Sequence, residues 1–243
     1  MRPGAIRWVG RTRAWTVAAI LCALPALPAA TPESDGGRHV HSADGSVVGT
    51  VRLPAFQGSP PPMLSPYARP RYRPPARAEA ASSSSESVVV YLLGSGPAAR
   101  TTPEPARIVQ RNRTILPHVT PIQVGTRVDF PNEDDVFHNL FSLSASHRFN
   151  LGRYPPGKSQ SEVFGRPGVV RLFCDIHSEM GGVILVLDTP YFTNADADGR
   201  FRIVGVPPGE YTAIAWHELA GMDSTRILVR DGVETSVDFA FEG

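Results

Sequence analysis

Short apolar and β-branched runs recur along most of the chain, and Gly- and Pro-containing turns separate many of them. No stretch keeps a helical period for more than two turns. Many short strands punctuated by Gly and Pro predict an all-β sandwich architecture. The predicted strands are Val47–Leu53, Val88–Leu93, Ala106–Gln110, Ile122–Val124, Thr126–Phe130, Glu162–Phe164, Val169–Cys174, Val183–Asp188, Tyr191–Thr193, Arg200–Val204, Tyr211–Trp216, Arg226–Val229 and Thr235–Phe241.

The first thirty residues break this pattern. Four arginines precede the apolar run Ala14–Leu24, and a small-residue stretch follows it up to Ala30. A basic segment, a short apolar segment and a small-residue end are typical of a Sec-type secretory signal peptide. We therefore expect residues 1–30 to be removed and the protein to be periplasmic or secreted in a bacterium. The alternative is an uncleaved N-terminal anchor; no other segment is apolar enough to span a membrane.

Removal of this signal changes the charge and the cysteine count. The whole chain has 24 basic and 23 acidic residues and a formal charge of +1. Without residues 1–30, 20 basic and 23 acidic residues remain, so the charge becomes −3. Neither balance is that of a strongly basic nucleic-acid binder. Cys22 leaves with the signal, so Cys174 is the single cysteine of the exported protein and cannot form an internal disulfide.

Two segments next to the predicted strands are polar or rich in proline. Residues 31–45 are polar and are predicted to be mobile. Residues 54–87 combine many prolines, four arginines and a serine run, and cannot bury enough apolar surface to offset their ordering entropy. We predict a disordered or extended loop there.

The segment Cys174–Met180 carries the strongest chemical signal. Strand parity places Cys174 on the same face as Val170 and Leu172, at the inward-facing end of a strand. A short loop bounded by glycines then returns His177 and Met180 over that end, and His138 lies upstream. One thiolate, two imidazoles and a thioether are the soft ligand set expected of a blue-copper electron-transfer site.

Other interpretations of these residues remain open. Cys174 could be an inert buried thiol, and the histidines could be ordinary core or surface residues. Zinc is the main rival metal, although methionine is a poor zinc ligand. A Cys-His nucleophile pair is disfavoured, because nothing in the sequence marks an oxyanion hole.

The spacing Cys174-x-x-His177-x-x-Met180, together with Pro131–Asn139 upstream, resembles the cupredoxins, most closely their amicyanin-like branch. The resemblance covers roughly residues 106–188 and implies a Greek-key sandwich that holds one type 1 Cu(I)/Cu(II) ion. It also implies that His138, Cys174 and His177 are equatorial ligands and that Met180 is the axial ligand. Asn139 would brace the ligand loop by hydrogen bonding near the thiolate.

Residues Thr193–Trp216 resemble a second family, the carboxypeptidase regulatory-like (transthyretin-like, Ig-like) β-sandwich. Two early strands of that family match Gly45–Leu53 and Val88–Leu93, which lie before the cupredoxin-like segment. We therefore expect the cupredoxin unit, 106–188, to be inserted into a discontinuous sandwich built from 46–94 and 189–243. In the alternative, 46–94 completes the cupredoxin and 189–243 stands alone. The first arrangement fails if Val88–Leu93 pairs only with strands of 106–188.

A chain that combines these two units, as we expect of this one, resembles bacterial periplasmic proteins described as plastocyanin-like or methylamine-utilisation-like. The resemblance implies a non-enzymatic carrier of single electrons between periplasmic redox partners, such as a dehydrogenase or a cytochrome. The alternatives are a copper-binding or delivery protein without redox cycling, and a carbohydrate-binding or adhesion module. The sequence does not specify an oligomeric state.

One further motif, Asn194–Gly199, matches the first half of a calcium loop. The twelfth position of that loop is Gly205, so the bidentate acid is missing. A hairpin turn at Asp198-Gly199 is the favoured interpretation.

Overall fold

A computed structural model describes residues 44–54, 84–94 and 103–242. The predicted signal peptide, the predicted mobile N-terminus up to residue 43 and positions 55–83 of the proline-rich loop lie outside the described residues. The last residues of that loop form a 3₁₀ turn, Ser85–Ser87, followed directly by a strand. Within the described part of the chain, no helix is long and apolar enough to cross a membrane.

Apart from this turn, the described regular structure is β-strand, which confirms the all-β class. The strands in chain order are β1 (Gly45–Arg52), β2 (Val89–Gly94), β3 (Ala106–Arg107), β4 (Val109–Arg111), β5 (Thr114–Leu116), β6 (Val119–Gln123), β7 (Arg127–Pro131), β8 (His138–Leu143), β9 (Arg148–Tyr154), β10 (Ser159–Val163), β11 (Gly168–Phe173), β12 (Gly181–Leu187), β13 (Phe192–Asn194), β14 (Arg200–Val206), β15 (Gly209–His217), β16 (Gly221–Val229), β17 (Glu234–Ser236) and β18 (Phe239–Ala240).

Strands from both ends of the described chain form what we call the flanking unit, β1, β2 and β13–β18. One of its sheets has β1 between β14 (antiparallel) and β17 (parallel), with β18 parallel to the end of β1. The other sheet has the order β13-β2-β15-β16 and is antiparallel. Among the described residues β2 pairs with β13 and β15 and with no strand of 106–188, which is the pairing that the insertion arrangement requires.

Alternating apolar side chains fill the space between these two sheets. Val47 and Val51 of β1 face Leu92 of β2 and Ala213 of β15 in one continuous buried cluster. Val47 and Val51 lie four positions apart along β1, as side chains on one face of a strand must lie an even number of positions apart. The flanking unit therefore has a hydrophobic core of its own.

The strands between residues 106 and 187 form what we call the central unit, β3–β12. Its larger sheet has the order β6-β12-β11-β8-β9, and its smaller sheet has the order β10-β7-β3. A short hairpin, β4-β5, adds two more strands. Side chains such as Phe130, Leu140, Val170, Leu172 and Ile184 form a second core, and Cys174 and Met180 belong to the same cluster.

The two units meet through β12. Its residues Val183, Leu185 and Leu187 point away from the central core and pack in a third cluster with Val89 and Trp216 of the flanking unit. Both faces of β12 are thus buried, which explains why its sequence is an unbroken apolar run rather than an alternating one.

Three strands were not predicted from the sequence, namely β5, β8 and β9. Strand β9 lies at the edge of its sheet, and most of its side chains are exposed or half-buried, so it lacks a continuous apolar signal. Strand β8 begins with His138-Asn139, two polar residues that are buried here. Polar residues obscure a strand when they are buried for a reason other than hydrophobic packing.

Candidate metal centre

Three residues that are far apart in sequence place ligand atoms together at one end of the central unit. The nitrogen atoms of His138 and His177 and the sulfur of Cys174 all lie within 4.8 Å of one another. Among the described residues, no other group of three or more His, Cys, Asp or Glu side chains places its ligand atoms close enough to hold one metal ion. His138 and Cys174 are completely buried, whereas His177 is partly exposed.

Cys174 lies immediately after β11, where strand parity predicts an inward-facing side chain. Val170, Leu172 and Cys174 are all fully buried in the central core, so this prediction is confirmed. Burial raises the pKa of the Cys174 thiol, but a hydrogen bond with His138 and backbone N–H donors outweigh that effect. The net result is a pKa below the usual cysteine range, which favours the thiolate that binds metals.

The loop after Cys174 folds back over the end of the sheet. The Met180 N–H donates to the His177 carbonyl at 3.0 Å, which closes a tight turn between these two residues. Met180 is fully buried in the same cluster as Cys174. The chain then continues at once into β12, where a Cβ on Gly182 would lie 2.8 Å from Cγ2 of Ile115. A residue without a side chain is therefore needed where the loop joins the strand.

Asp134 holds the ring of His138. The carboxylate Oδ2 of Asp134 lies 2.7 Å from His138 Nε2, while His138 Nδ1 points to His177 Nδ1 at 3.1 Å. When Nε2–H donates to a carboxylate, Nδ1 of the neutral ring carries the free lone pair. This contact therefore orients the lone pair of His138 towards Cys174 and His177.

The same carboxylate also accepts hydrogen bonds from a neighbouring turn. The backbone N–H groups of Asn112 and Arg113 donate to Asp134, and both residues have positive φ values, 53° and 54°, in the two-residue turn of the β4-β5 hairpin. Burial raises the pKa of Asp134, but the donors from Arg113, His138 and Asn112 lower it overall. Asp134 is thus an anchored carboxylate that links this turn to the histidine.

The two histidines differ in their surroundings. Burial lowers the pKa of His138, yet the hydrogen bonds with Cys174 and Asp134 raise it above the usual value. Burial lowers the pKa of His177, and the charge of His138 lowers it further. His177 therefore stays neutral to lower pH than an ordinary histidine. Phe137, which precedes His138, and Ile176, which precedes His177, are 54% and 38% exposed.

Asn139 contacts the site through its backbone. Its N–H donates to Cys174 and contributes to the lowered pKa of the thiol. Its side chain is buried, and within the described residues Oδ1 has no hydrogen-bond partner. The hydrogen bond from Asn139 to the sulfur is of the kind expected of this residue, and its role as a brace of the ligand loop stays a prediction.

Asp134 was not singled out by the sequence. Its signal is an acidic residue four positions before a candidate ligand histidine, a spacing that can bring a carboxylate to the second ring nitrogen. Asn132 was missed as well. Its Nδ2 donates to the Val136 carbonyl at 2.8 Å, and its Oδ1 accepts from the Asp134 N–H at 3.0 Å, so it shapes the loop that carries both Asp134 and His138.

The calcium-like motif forms a turn, as favoured. The Asp196 carboxylate accepts backbone N–H groups of Asp198 and Arg200 at 3.0 and 2.7 Å, and Asp198 forms an ion pair with Arg200. Gly199 has a φ of 78°. These carboxylates therefore serve the turn itself.

The converging groups fit a soft metal ion. Imidazole nitrogens bind such ions at about 2.0–2.1 Å, so two of them on one ion lie roughly 3 Å apart. The observed Nδ1–Nδ1 separation is 3.1 Å. The thiolate and the two imidazoles fit copper binding, and Met180 lies in the same buried cluster as Cys174.

Comparison with known proteins gives likenesses to copper proteins over part of the chain. A purple cupredoxin from Nitrosopumilus maritimus shares 26% identity, covering 34% of this chain and 99% of that chain with a TM-score of 0.31. A Cu-containing nitrite reductase from Thermus scotoductus shares 26% identity over 39% of this chain and 25% of that chain, with a TM-score of 0.34. A Cu(I) amicyanin mutant shares 15% identity over 34% of this chain and 82% of that chain, with a TM-score of 0.33.

No protein-family model matches the sequence, and no curated protein matches it significantly.

Proposed function

We propose that the protein carries single electrons by means of one type 1 copper ion. His138, Cys174 and His177 would bind the ion, and Met180 would be the weak axial ligand. The observation that carries this proposal is the convergence of the three ligand atoms within 4.8 Å at a buried sheet end. Copper held there would supply a Cu(II)/Cu(I) couple.

The protein groups around the ligands support a role that needs little movement. Cys174 follows a fully paired strand, and Met180 leads directly into another, so both sulfur-bearing residues are fixed by the same antiparallel pair. Asp134 orients His138 through a contact that is itself anchored to a turn. Ligands that are held in place keep their positions in both oxidation states, which favours fast electron exchange.

His177 is the proposed route by which a partner reaches the site. It is the partly exposed member of the group; the exposed residue Ile176 precedes it in sequence, and the exposed residue Phe137 precedes the other ligand histidine, His138. We propose that a periplasmic redox protein, such as a dehydrogenase or a cytochrome, docks there. On this proposal the chain is a carrier rather than an enzyme.

The domain arrangement is part of the same proposal. The pairing of β2 with β13 and β15 supports a cupredoxin-like unit inserted into a carboxypeptidase regulatory-like sandwich. The Sec-type signal at residues 1–30 supports export to the periplasm.

Copper titration tests the proposal. Addition of Cu(II) to the purified protein should produce an intense visible absorption from charge transfer between the thiolate and the metal, with an endpoint at one ion per chain. Cys174→Ser should abolish this absorption. The control is Met222→Leu, which removes an exposed sulfur-bearing side chain of the flanking unit and should leave the absorption unchanged. A colourless copper complex of the unmodified protein would contradict the proposal.

A further inference from the structure

Strand β12 is part of the central unit, but its two faces pack against different units. It begins one residue after Met180, so its position sets where the proposed axial ligand lies. One face of β12, with Ile184 and Val186, packs in the central core together with Cys174. The opposite face packs on the flanking unit.

A buried contact between a histidine and a carboxylate adds a polar link between the units beside this strand. His118 lies between β5 and β6 of the central unit, and its Nε2 is 2.5 Å from Oε1 of Glu218, which follows β15 of the flanking unit. The two side chains are only 11% and 4% exposed. A carboxylate so deeply buried is costly without a partner, so the contact constrains both residues.

The link continues from His118 into β12 through the backbone. The His118 carbonyl accepts the N–H of Val183 at 2.8 Å, and Val183 is the third residue after Met180. A side chain of the flanking unit therefore holds a residue whose own carbonyl fixes the start of β12.

Glu218 lies in a turn that is closed by hydrogen bonds. The ring Nδ1 of the preceding residue, His217, accepts the backbone N–H groups of Leu219 and Ala220 at 3.3 and 3.1 Å. His217 is fully buried, and Trp216 before it packs against β12 in the cluster that joins the units. At the end of β15, Trp216 thus makes an apolar contact and Glu218 a hydrogen-bonding contact with the same part of the central unit.

We propose that the flanking unit acts as a positioning element for the metal centre. The positioning residues are Glu218 of the flanking unit and His118 of the central unit. Together with Trp216 they fix the position of β12 and thereby the distance between Met180 and Cys174. The part that concerns the metal rests on the proposed function; the part that concerns the strand does not. Loss of a contact that merely stabilised the protein would lower the unfolding free energy and raise amide exchange in a remote strand such as β1 as much as in β12, with no change at the site.

The test compares four variants. Glu218→Ala removes the contact, and Glu218→Gln keeps an acceptor for His118 Nε2–H. Glu162→Ala is the matched control, because Glu162 also pairs with a histidine, with its Oε1 2.9 Å from Nε2 of His147, but both residues belong to the central unit and neither belongs to the cluster between the units. Trp216→Phe trims the apolar contact without leaving an unpaired buried charge, so it reports even if Glu218→Ala does not fold.

The first readout is amide hydrogen exchange of residues 181–187 in the protein without metal. Loss of a hydrogen bond to a charged group predicts about a tenfold or larger increase in exchange for Glu218→Ala. Trp216→Phe should raise exchange in the same segment, Glu218→Gln should restore much of the protection, and Glu162→Ala should leave the segment unchanged. Unaltered exchange in both Glu218→Ala and Trp216→Phe would overturn the proposal.

The second readout is the spectrum of the copper-loaded protein. A displaced Met180 should change the relative intensities of the visible bands in Glu218→Ala, with recovery in Glu218→Gln and no change in Glu162→Ala. If Glu218→Ala raises exchange in β12 but leaves the copper spectrum unaltered, the positioning of the metal centre is overturned. If the unmodified protein shows no thiolate–copper absorption while the exchange results hold, the proposed function fails and the positioning of β12 stands.

Discussion

The two units of this protein are built from the same kind of alternating strands but differ in what they bury. In the flanking unit the described buried residues are almost all apolar; Ser87, Thr189 and His217 are its buried polar residues, and the Glu218 carboxylate is also nearly buried. The central unit buries a larger polar set, and much of it lies at the end where Cys174 and Met180 are found. The members near that end are Gln110, Asn132, His138 and Asn139.

This difference shows where packing alone does not explain the sequence. A buried polar side chain costs free energy unless it is hydrogen-bonded, so a cluster of them needs a second reason. In the central unit the metal centre that we propose would be that reason, since Asn132 shapes the loop that carries Asp134 and His138. Sites where local rules are broken are the places where function is expected.

Two matched leucine truncations give the largest expected effect and separate the units. Leu172→Ala opens a cavity in the cluster that holds Cys174, and Leu92→Ala opens one in the core of the flanking unit. Both leucines are fully buried, so each change should lower the unfolding free energy by about 2–5 kcal/mol. Chemical denaturation measures both losses.

The copper spectrum then distinguishes the two variants. Leu172→Ala should shift the visible bands, because its neighbour on the same strand face is Cys174. Leu92→Ala should leave them unaltered in the protein that remains folded, since Leu92 faces away from β12. Equal shifts in both variants would show that the contrast between the units is wrong.

Asp134→Asn tests the link between the turn and the histidine. Loss of the carboxylate weakens the preference for a lone pair on Nδ1 of His138, so copper affinity should fall about 10–100-fold. Competition with a chelator of known affinity measures the change. Asp198→Asn is the control, because Asp198 is an exposed residue of a turn in the flanking unit and pairs with Arg200. Equal losses in the two variants would refute a specific role for Asp134.

The smallest expected effect concerns a carboxylate of the flanking unit that serves stability alone. Hydrogen bonds from the hydroxyl and the backbone N–H of Thr50 lower the pKa of Asp238. A lowered pKa in the folded state stabilises the protein above the unfolded pKa, and this contribution is lost as the pH falls through the folded pKa. Asp238→Asn should therefore be slightly less stable than the unmodified protein at neutral pH, and the difference should close in acid.

Thermal unfolding across pH checks this last prediction, with copper binding at neutral pH as the second measurement. The copper spectrum of Asp238→Asn should match that of the unmodified protein. A stability difference that grows on acidification would reverse the sign that the lowered pKa requires.

Much of the fold could be predicted because most strands obey simple alternation. Strand β12 and strand β15 were found from apolar runs alone, and the Gly- and Pro-rich turns marked most of the boundaries. Strands β8 and β9 were missed because one starts with buried polar residues and the other lies at an exposed sheet edge. The polar residues at the start of β8 lie at the candidate site, and those of β9 face solvent, so neither strand shows the apolar pattern of a core strand.

The candidate ligands could be found because three of them lie in one short loop at the end of a recognisable strand. Strand parity was sufficient to place Cys174 in the core. Glu218 could not be found in this way, since its partner His118 is brought near only by the tertiary structure. Asp134 lies four residues before His138, but its anchoring to the turn at Asn112 and Arg113 also depends on the tertiary structure. His118 could not be found for the same reason, because its partner lies 100 residues away in the sequence.

Voltammetry of the copper-loaded protein tests the central claim most directly, because it separates an electron carrier from a protein that only binds or delivers copper. The account predicts a reversible one-electron wave in the unmodified protein and no such wave in Cys174→Ser. A protein that binds one copper ion at this site but gives no reversible wave would contradict it.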